Sequence, residues 1–511
     1  MLAVVFAPGC ASPPIARPQP GVLATADAGL LQGCYDCLLE ARASYRRLAA
    51  GGERPRVVAR VFEADLLIAL REKELALPPS DALADARRIA AELPRDVEPG
   101  RYLALVDAIP SEPMGSARRD GQAFRAAQRA LVVRLDAERA WLSNGRLRAP
   151  VRDYLRLALD CAYPKPQEPS PTDPAASAAP LPVASPLLAY RVEICSFGLT
   201  SALAAVRDRE PRFVETSFFI ANIEMVGAAQ DGPGHAKAHL AEVLARFPTS
   251  PAITFLTASY DQLVGDHAEA LRFYDRTLAL QPAHDEALLG RTICLTNLAR
   301  SQEAIDAATQ LIARGAGNLA EAYYWRAWNH HTLARLAEAR ADIAAAKELI
   351  TTANVLTLAG IIEHDQRDLD PAQADLEAAI ASTGHDCTAQ WYLGLVHRER
   401  KRWLASGHAF EAAMTCYRDR AQDTADRIRV LQDRAELDPT YRARQIASLE
   451  ASAVADTRQQ HAAALIAAND DATGGDIVSA KTLAEIAGKD PALADRVAKL
   501  RALLDKPRGS P

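Results

Sequence analysis

The sequence predicts an all-α protein of 511 residues, a right-handed solenoid of stacked helical hairpins. Three observations carry that expectation. Apolar residues recur at helical spacing through most of the chain. Small, aromatic and proline positions repeat with a period of 33 to 35 residues, giving unit starts at Ser217, Pro251, Asp285, Ala320, Ala353 and Cys387. No segment has the strand pattern from which a nucleotide-binding or hydrolase sheet is built. A hydrophobic content of 49% supports a well-buried core, and a chain of this length either splits into domains or grows by stacking.

Taken in order, residues 1–27 read as a short apolar run, MLAVVFAPGC, and a proline-rich tether. Residues 28–163 read as degenerate helical hairpins: three helices over 28–93, stopped by Pro94, then one between Gly121 and Asn144 and one between Pro150 and Cys161. Residues 164–186 hold eight prolines and almost no large apolar side chain, so an extended linker is expected. Residues 187–420 contain the array of about six units. Residues 421–511 are expected to supply C-terminal helices and a cap. Within them a helix runs on through LQDRAEL, another covers Tyr441 to Ala468, a break falls at NDDATGG, and Asp490-Pro491 starts a last helix with Leu493, Val497, Leu500 and Leu504 on one face.

The clearest unit is PAITFLTASYDQLVGDHAEALRFYDRTLALQP. It places Ala258 at the crossing of its two helices, Gly265 at the turn, Ala270 and Tyr274 in the second helix and Pro282 in the exit loop. The same slots hold Ala327, Ala339 and Ile343 in the fourth unit, Gly360, Ala372 and Leu376 in the fifth, and Gly394 and Phe410 in the sixth. Two antiparallel helices approach closely only where a crossing side chain is small. Period and slots together resemble the tetratricopeptide repeat over about 200 residues. Ser406, in a slot where alanine is usual, and Glu224, in the first crossing, depart from the pattern.

That resemblance implies a concave groove lined by the first helix of each unit. The register places there Phe218 and Met225, Phe255 and Ser259, Leu289 and Ile293, Tyr324, Trp328 and His331, Ile361 and His364, and Trp391, Leu395 and Arg398. Such a face suits an extended peptide or an amphipathic helix of a protein partner. Tyr324 and Trp328, four residues apart on one helical face, form a platform of the kind that dominates interface energy. The competing reading is that these rings only pack between hairpins; Trp325 is then the ring expected to be buried. A second functional class, glycan binding, would stack sugars on Tyr324, Trp328 and Trp391.

Gly9-Cys10 at the end of the first apolar run resembles the end of a bacterial lipoprotein signal, which implies lipidation of Cys10. Ala11, in place of a retaining aspartate, then implies the outer membrane, facing the periplasm. Without a signal the protein would be a cytoplasmic adaptor. No later stretch has the roughly 20 apolar residues of a membrane span.

The composition opposes nucleic-acid binding: 59 basic and 65 acidic residues leave a net charge of -6, with no basic stripe. His235 and His239 have metal-binding spacing but no third ligand, so a solvated helix face is expected and no metal or cofactor is assigned. His330 and His331 splay onto different faces. Among eight cysteines, Cys387 with Cys416 and Cys161 with Cys195 are candidate disulfides, Cys34 and Cys37 form a lone CxxC without a redox or zinc context, and Cys294 is left over. Since no catalytic motif survives its context, the chain is read as a scaffold and not an enzyme.

Overall fold

The computed structural model describes residues 20–109, 137–162, 185–195, 200–231, 235–315, 318–435 and 439–505, and no strand occurs among them. The chain divides into two compact units, Met1–Leu256 and Thr257–Pro511.

In the first unit, α1 (Pro20–Gln32) and α2 (Tyr35–Leu48) are separated by Gly33 and Cys34. Gly33 has a φ of 78°, and a Cβ there would also run into Leu187, so both backbone and space demand glycine. Gly52, at φ 96°, kinks the chain into α3 (Arg54–Glu74). Then follow α4 (Ala82–Ile89), α5 (Pro99–Ala108), a helical stretch over 137–144 (α6), α7 (Ala149–Ala162), α8 (Pro186–Cys195), α9 (Thr200–Arg209), α10 (Glu215–Asp231) and α11 (Ala236–Arg246).

The core of this unit is organised around a buried cation. Arg71, on α3, is fully buried; its guanidinium lies 3.8 Å over the Tyr190 ring and donates to Gly33 O at 3.1 Å and to Glu74 at 3.0 Å. Glu215 stands 3.4 Å away. Burial pushes the Glu215 carboxyl up, and the charge of Arg71 opposes that push. Arg71 Nε has no hydrogen-bond partner, and the carboxylates of Glu74 and Glu215 together with the Tyr190 ring face offset the cost of burying the charge.

The expected boundaries change here. The tether read up to residue 27 is helical from Pro20, and Gly33 divides LLQGCYDCLLEARASYRRL, whose apolar positions recur at helical spacing as for the first of the three helices expected over 28–93, between α1 and α2. The 28–93 segment therefore holds the end of α1 besides α2, α3 and α4. Most of the proline-rich 164–186 segment and the start of the Gly121–Asn144 helix lie outside the described residues.

The repeats are α12 (Pro251–Leu263) with α13 (His267–Leu280), α14 (Asp285–Asn297) with α15 (Ser301–Arg314), α16 (Leu319–Thr332) with α17 (Leu336–Leu349), and α18 (Ala353–Asp365) with α19 (Leu369–Thr383). The last is α20 (Cys387–Glu399) with the start of α21 (Trp403–Asp433). At each intra-repeat turn one residue is left-handed: Gly265, Ala299, Ala334, Arg367 and Lys401, with φ between 56° and 78°. Their spacing is that of the sequence repeat. At the α16–α17 turn, Arg335 N donates to His330 O and Ala334 N to His331 O, both at 2.8 Å, the bond pair of a Schellman cap.

The crossing slots behave as their size requires. A Cβ on Gly360 would lie 2.6 Å from Leu376 Cγ, and one on Gly394 2.8 Å from Phe410 Cε2. In the middle of the array a core cluster spans one hairpin and the next first helix. Ala327, Ala339 and Ile343 of α16–α17 thus pack with Val355, Leu358 and Ile362 of α18, which is how stacking buries a face that a lone hairpin leaves open.

After the fifth hairpin of this series the pattern changes. α21 runs 31 residues without a break near Arg420, and α22 (Pro439–Gly474) runs 36 and ends within the NDDATGG segment, where a break was expected. The break comes at Gly475, φ 100°. α23 (Ile477–Ala487), a 3-10 turn at Pro491–Leu493 capped by Asp490, and α24 (Ala494–Leu504) complete the cap, with Val497 and Leu500 buried. The slot departure at Ser406 belongs to this cap. Its buried hydroxyl lies 2.9 Å from Gly394 O and 2.7 Å from Asp470 Oδ2 on α22.

A non-glycine residue in the left-handed region pays a steric cost that glycine does not. Ala334→Gly should therefore raise the unfolding free energy by roughly 1 kcal/mol in urea titration. An unchanged or lowered midpoint would contradict a left-handed Ala334.

Candidate functional site

Stacked first helices bring side chains about 34 positions apart onto one face, and a concavity lies on α16, α18 and the start of α20. It is a cavity of ≈ 380 Å³ bordered by Tyr324, Trp328, Thr357, Leu358, Ile361 and Asp386, with Arg420 of α21 at its rim. Trp328 is 41% exposed and is the only aromatic among the exposed large apolar side chains of the described residues. Tyr324 is half-buried, its ring 6.5 Å from Trp328 and 5.2 Å, edge-on, from Trp325.

The polar edge of the cavity is fixed. Asp386 caps α20 by accepting from Ala389 N at 2.9 Å and accepts from the Thr357 hydroxyl at 2.7 Å. That ties α18 to α20 beneath the aromatic pair. A second tie runs along the helix ends: His331 Nε2 is 2.8 Å from Asp365, whose other oxygen is 2.9 Å from His364 Nδ1, and His364 Nε2 is 3.3 Å from Glu399. Burial works against the Asp365 charge, but hydrogen bonds from His331 and His364 outweigh it and hold the carboxyl below its usual range.

Repeat register alone places the other expected groove residues differently from the structure. Phe218 is 2% exposed and packs edge-on against Phe219, and Leu289 is buried, so neither offers a surface. Phe255 is half-buried. Trp391 packs edge-on against Phe410 at 5.2 Å, within the core shared with α22 and α23. Arg398 is exposed, yet its Nε lies 3.6 Å from the buried Asp470. The cap thus occupies the face of the last repeat. Trp325, expected to be the buried ring, is only half-buried.

Arg420, Asp386 and Thr357 were not selected from the sequence. Asp386 carried a signal, an aspartate just before a helix start; Arg420 carried none, since it lies at the end of the array and not on a first helix.

Cys387 and Cys416 are disulfide-bonded, joining the first helix of the last repeat to its partner, and Cys34 is bonded to Cys37 at the start of α2. The second pair had been read as a lone CxxC. Cys10 and the side chains of Cys161 and Cys195 lie outside the described residues. Cys294 is free and buried, which pushes its thiol up to about 12. His235 sits at the N-cap of α11, outside the helix that was expected to carry it with His239. Among the described residues no group of three His, Cys, Asp or Glu side chains could hold a metal, and no helix is long and apolar enough to cross a membrane.

Hairpins of this length, period and crossing chemistry form an α-solenoid of tetratricopeptide type. No family model matches the chain, and no curated protein matches it. Among solved structures it is similar to YrrB, a TPR protein with an unusual peptide-binding site, at 17% identity and TM-score 0.30, covering 35% of this chain and 91% of that one. A tetratricopeptide repeat protein from Parabacteroides merdae aligns at 15% identity and TM-score 0.36, covering 44% and 89%. The APC/C hetero-tetramer Cut9-Hcn1 aligns at 11% and 0.40, covering 96% and 94%.

The two tryptophans should separate in stability measurements. Trp328→Ala is expected to change the unfolding free energy by less than about 1 kcal/mol, whereas Trp391→Ala, which opens the cap core, should cost roughly 2 kcal/mol or more. Equal losses would mean that Trp328 is a packing residue.

Proposed function

We propose that this protein is a non-catalytic scaffold that receives an extended segment or amphipathic helix of a protein partner on the face of α16 and α18, and that it works in the bacterial envelope. The carrying observation is the half-exposed aromatic pair Tyr324 and Trp328 over a cavity whose edge is fixed by Thr357 and Asp386. Rigid apolar anchors set in a polar rim are what concentrate binding energy in peptide recognition.

The envelope assignment rests on Cys10 at the end of the first apolar run and is supported by two cysteine pairs of the kind that persist in oxidising compartments. The glycan reading loses support because Trp391, the third ring it requires, is packed under the cap.

The test is affinity capture from an envelope extract with the intact protein and with a Tyr324→Ala, Trp328→Ala variant of matched helicity. Loss of one defined protein, followed by at least a tenfold weaker affinity of the variant for that protein's purified form, is the expected result; capture of identical material by both would end this reading of the face. For location, Cys10→Ser should move the protein from the membrane pellet to the soluble fraction. If it stays in the pellet, lipidation of Cys10 is not the anchor.

A further inference from the structure

Glu363, on α18, is a buried carboxyl without a cation of its own. It is 8% exposed, and its Oε2 is buried with no hydrogen-bond partner. Other buried acids of the array are matched: Asp342 accepts from Arg326 at 2.8 and 2.6 Å, and Asp456 accepts from Arg420 at 2.8 Å. A buried acceptor left without a donor is costly to the fold.

Glu363 also lines a cavity of ≈ 380 Å³ together with Arg340, Ile343, Ala344, Lys347 and Glu348 of α17. That volume is in the range of small-ligand sites. The basic side chains at its border are engaged elsewhere. Arg340 donates to Gln366 at 3.0 Å and to Asp368 at 2.7 Å, and Lys347 donates to Asp375 of α19. Asp375 also faces Glu363, and since both are acceptors they can bond only through a proton. Burial, and then the charge of Asp375, push the Glu363 carboxyl up to about 7, against the opposing charges of Lys347 and Arg340. A ligand cation that replaces this proton leaves the net charge of the site unchanged.

The donor set selects the kind of cation. Among the described residues no group of three His, Cys, Asp or Glu side chains could hold a metal. An ammonium group on an alkyl chain fits instead: its N–H donors meet the carboxyl oxygens, and its methylenes lie along Ile343 and Ala344.

We propose that the α17–α18 cavity binds the alkylammonium group of a small amine or of a lysine side chain, with Glu363 as its counter-ion. This cavity shares no lining residue with that of Tyr324 and Trp328, so the two readings stand or fall separately. The full-length protein is titrated calorimetrically with n-butylammonium and with N-acetyl-lysine methylamide, at constant ionic strength and in buffers of different ionisation heat. At about pH 6 binding should release close to one proton per amine, and at about pH 8.5 close to none, because Glu363 is then already ionised. Glu363→Gln, which keeps the shape of the protonated acid, should weaken binding about tenfold or more and abolish the proton release. Glu348→Gln, at an exposed position, should change affinity less than about twofold. The tighter probe tells the source of the ligand, capped lysine for a protein side chain and butylammonium for a free amine. Equal affinity of the wild-type and Glu363→Gln chains would overturn the site. So would binding without proton release at the lower pH, or no saturation by either probe in the millimolar range; both are read on the wild-type chain.

Discussion

The second unit depends on one requirement: the apolar side left open by each helical hairpin must be covered by the next element, at a spacing that admits only small side chains. Gly360 and Gly394 meet it from within, each facing a large partner, Leu376 or Phe410, where even a methyl group would crowd. Burial of this kind contributes on the order of 25 cal/mol per Å² of apolar surface, and no single hairpin has enough of it alone. The recurrent left-handed turn follows from the same requirement. Ala299, Ala334, Arg367 and Lys401 adopt it without being glycine, so stacking outweighs a local steric cost that would otherwise disfavour the turn.

A stack has to end, and its end is chemically different from its interior. The cap approaches through Ser406 and Gly407, against which Asp470 and Asp471 of α22 are buried. Both carboxylate oxygens of Asp471 lack a hydrogen-bond partner. Burial pushes this carboxyl up to about 6, with Glu411 and Asp476 adding to the push. Because the folded-state value is raised, the carboxyl favours the folded form most below its ordinary value near 3.8 and withdraws that support as pH rises through about 6. The serine in place of alanine, an irregularity in the repeat, is thus the repeat accommodating its own terminus.

What the sequence made legible was whatever recurs. The period, the small crossing residues and Asp490-Pro491 before the last helix are local signals that stacking leaves intact. Features set by a single tertiary contact were not legible. Gly33 divides an apolar run whose helical spacing continues across it, and Trp391 occupies a groove slot but packs against the cap. The Cys34–Cys37 bond is hidden for a related reason: a CxxC at a helix start has the same spacing whether it serves metal binding, redox chemistry or simple closure. The left-handed turns after the first were hidden because alanine, arginine and lysine give no sign of them.

The same requirement explains where exposed apolar surface persists. A side chain on a first helix is buried if a neighbouring helix reaches it, as with Leu289, or if the terminal cap does, as with Trp391. In the middle of the array, at α16 and α18, the hairpins are already closed by one another through the core that Ile343, Val355 and Ile362 share. On the remaining side α21 reaches the cavity rim through Arg420. Trp328 keeps its exposure because the fold is complete without it, and Tyr324 holds it in place from the core side. A side chain presented in this way costs the fold little stability, so this face can change without disturbing the stacking beneath it.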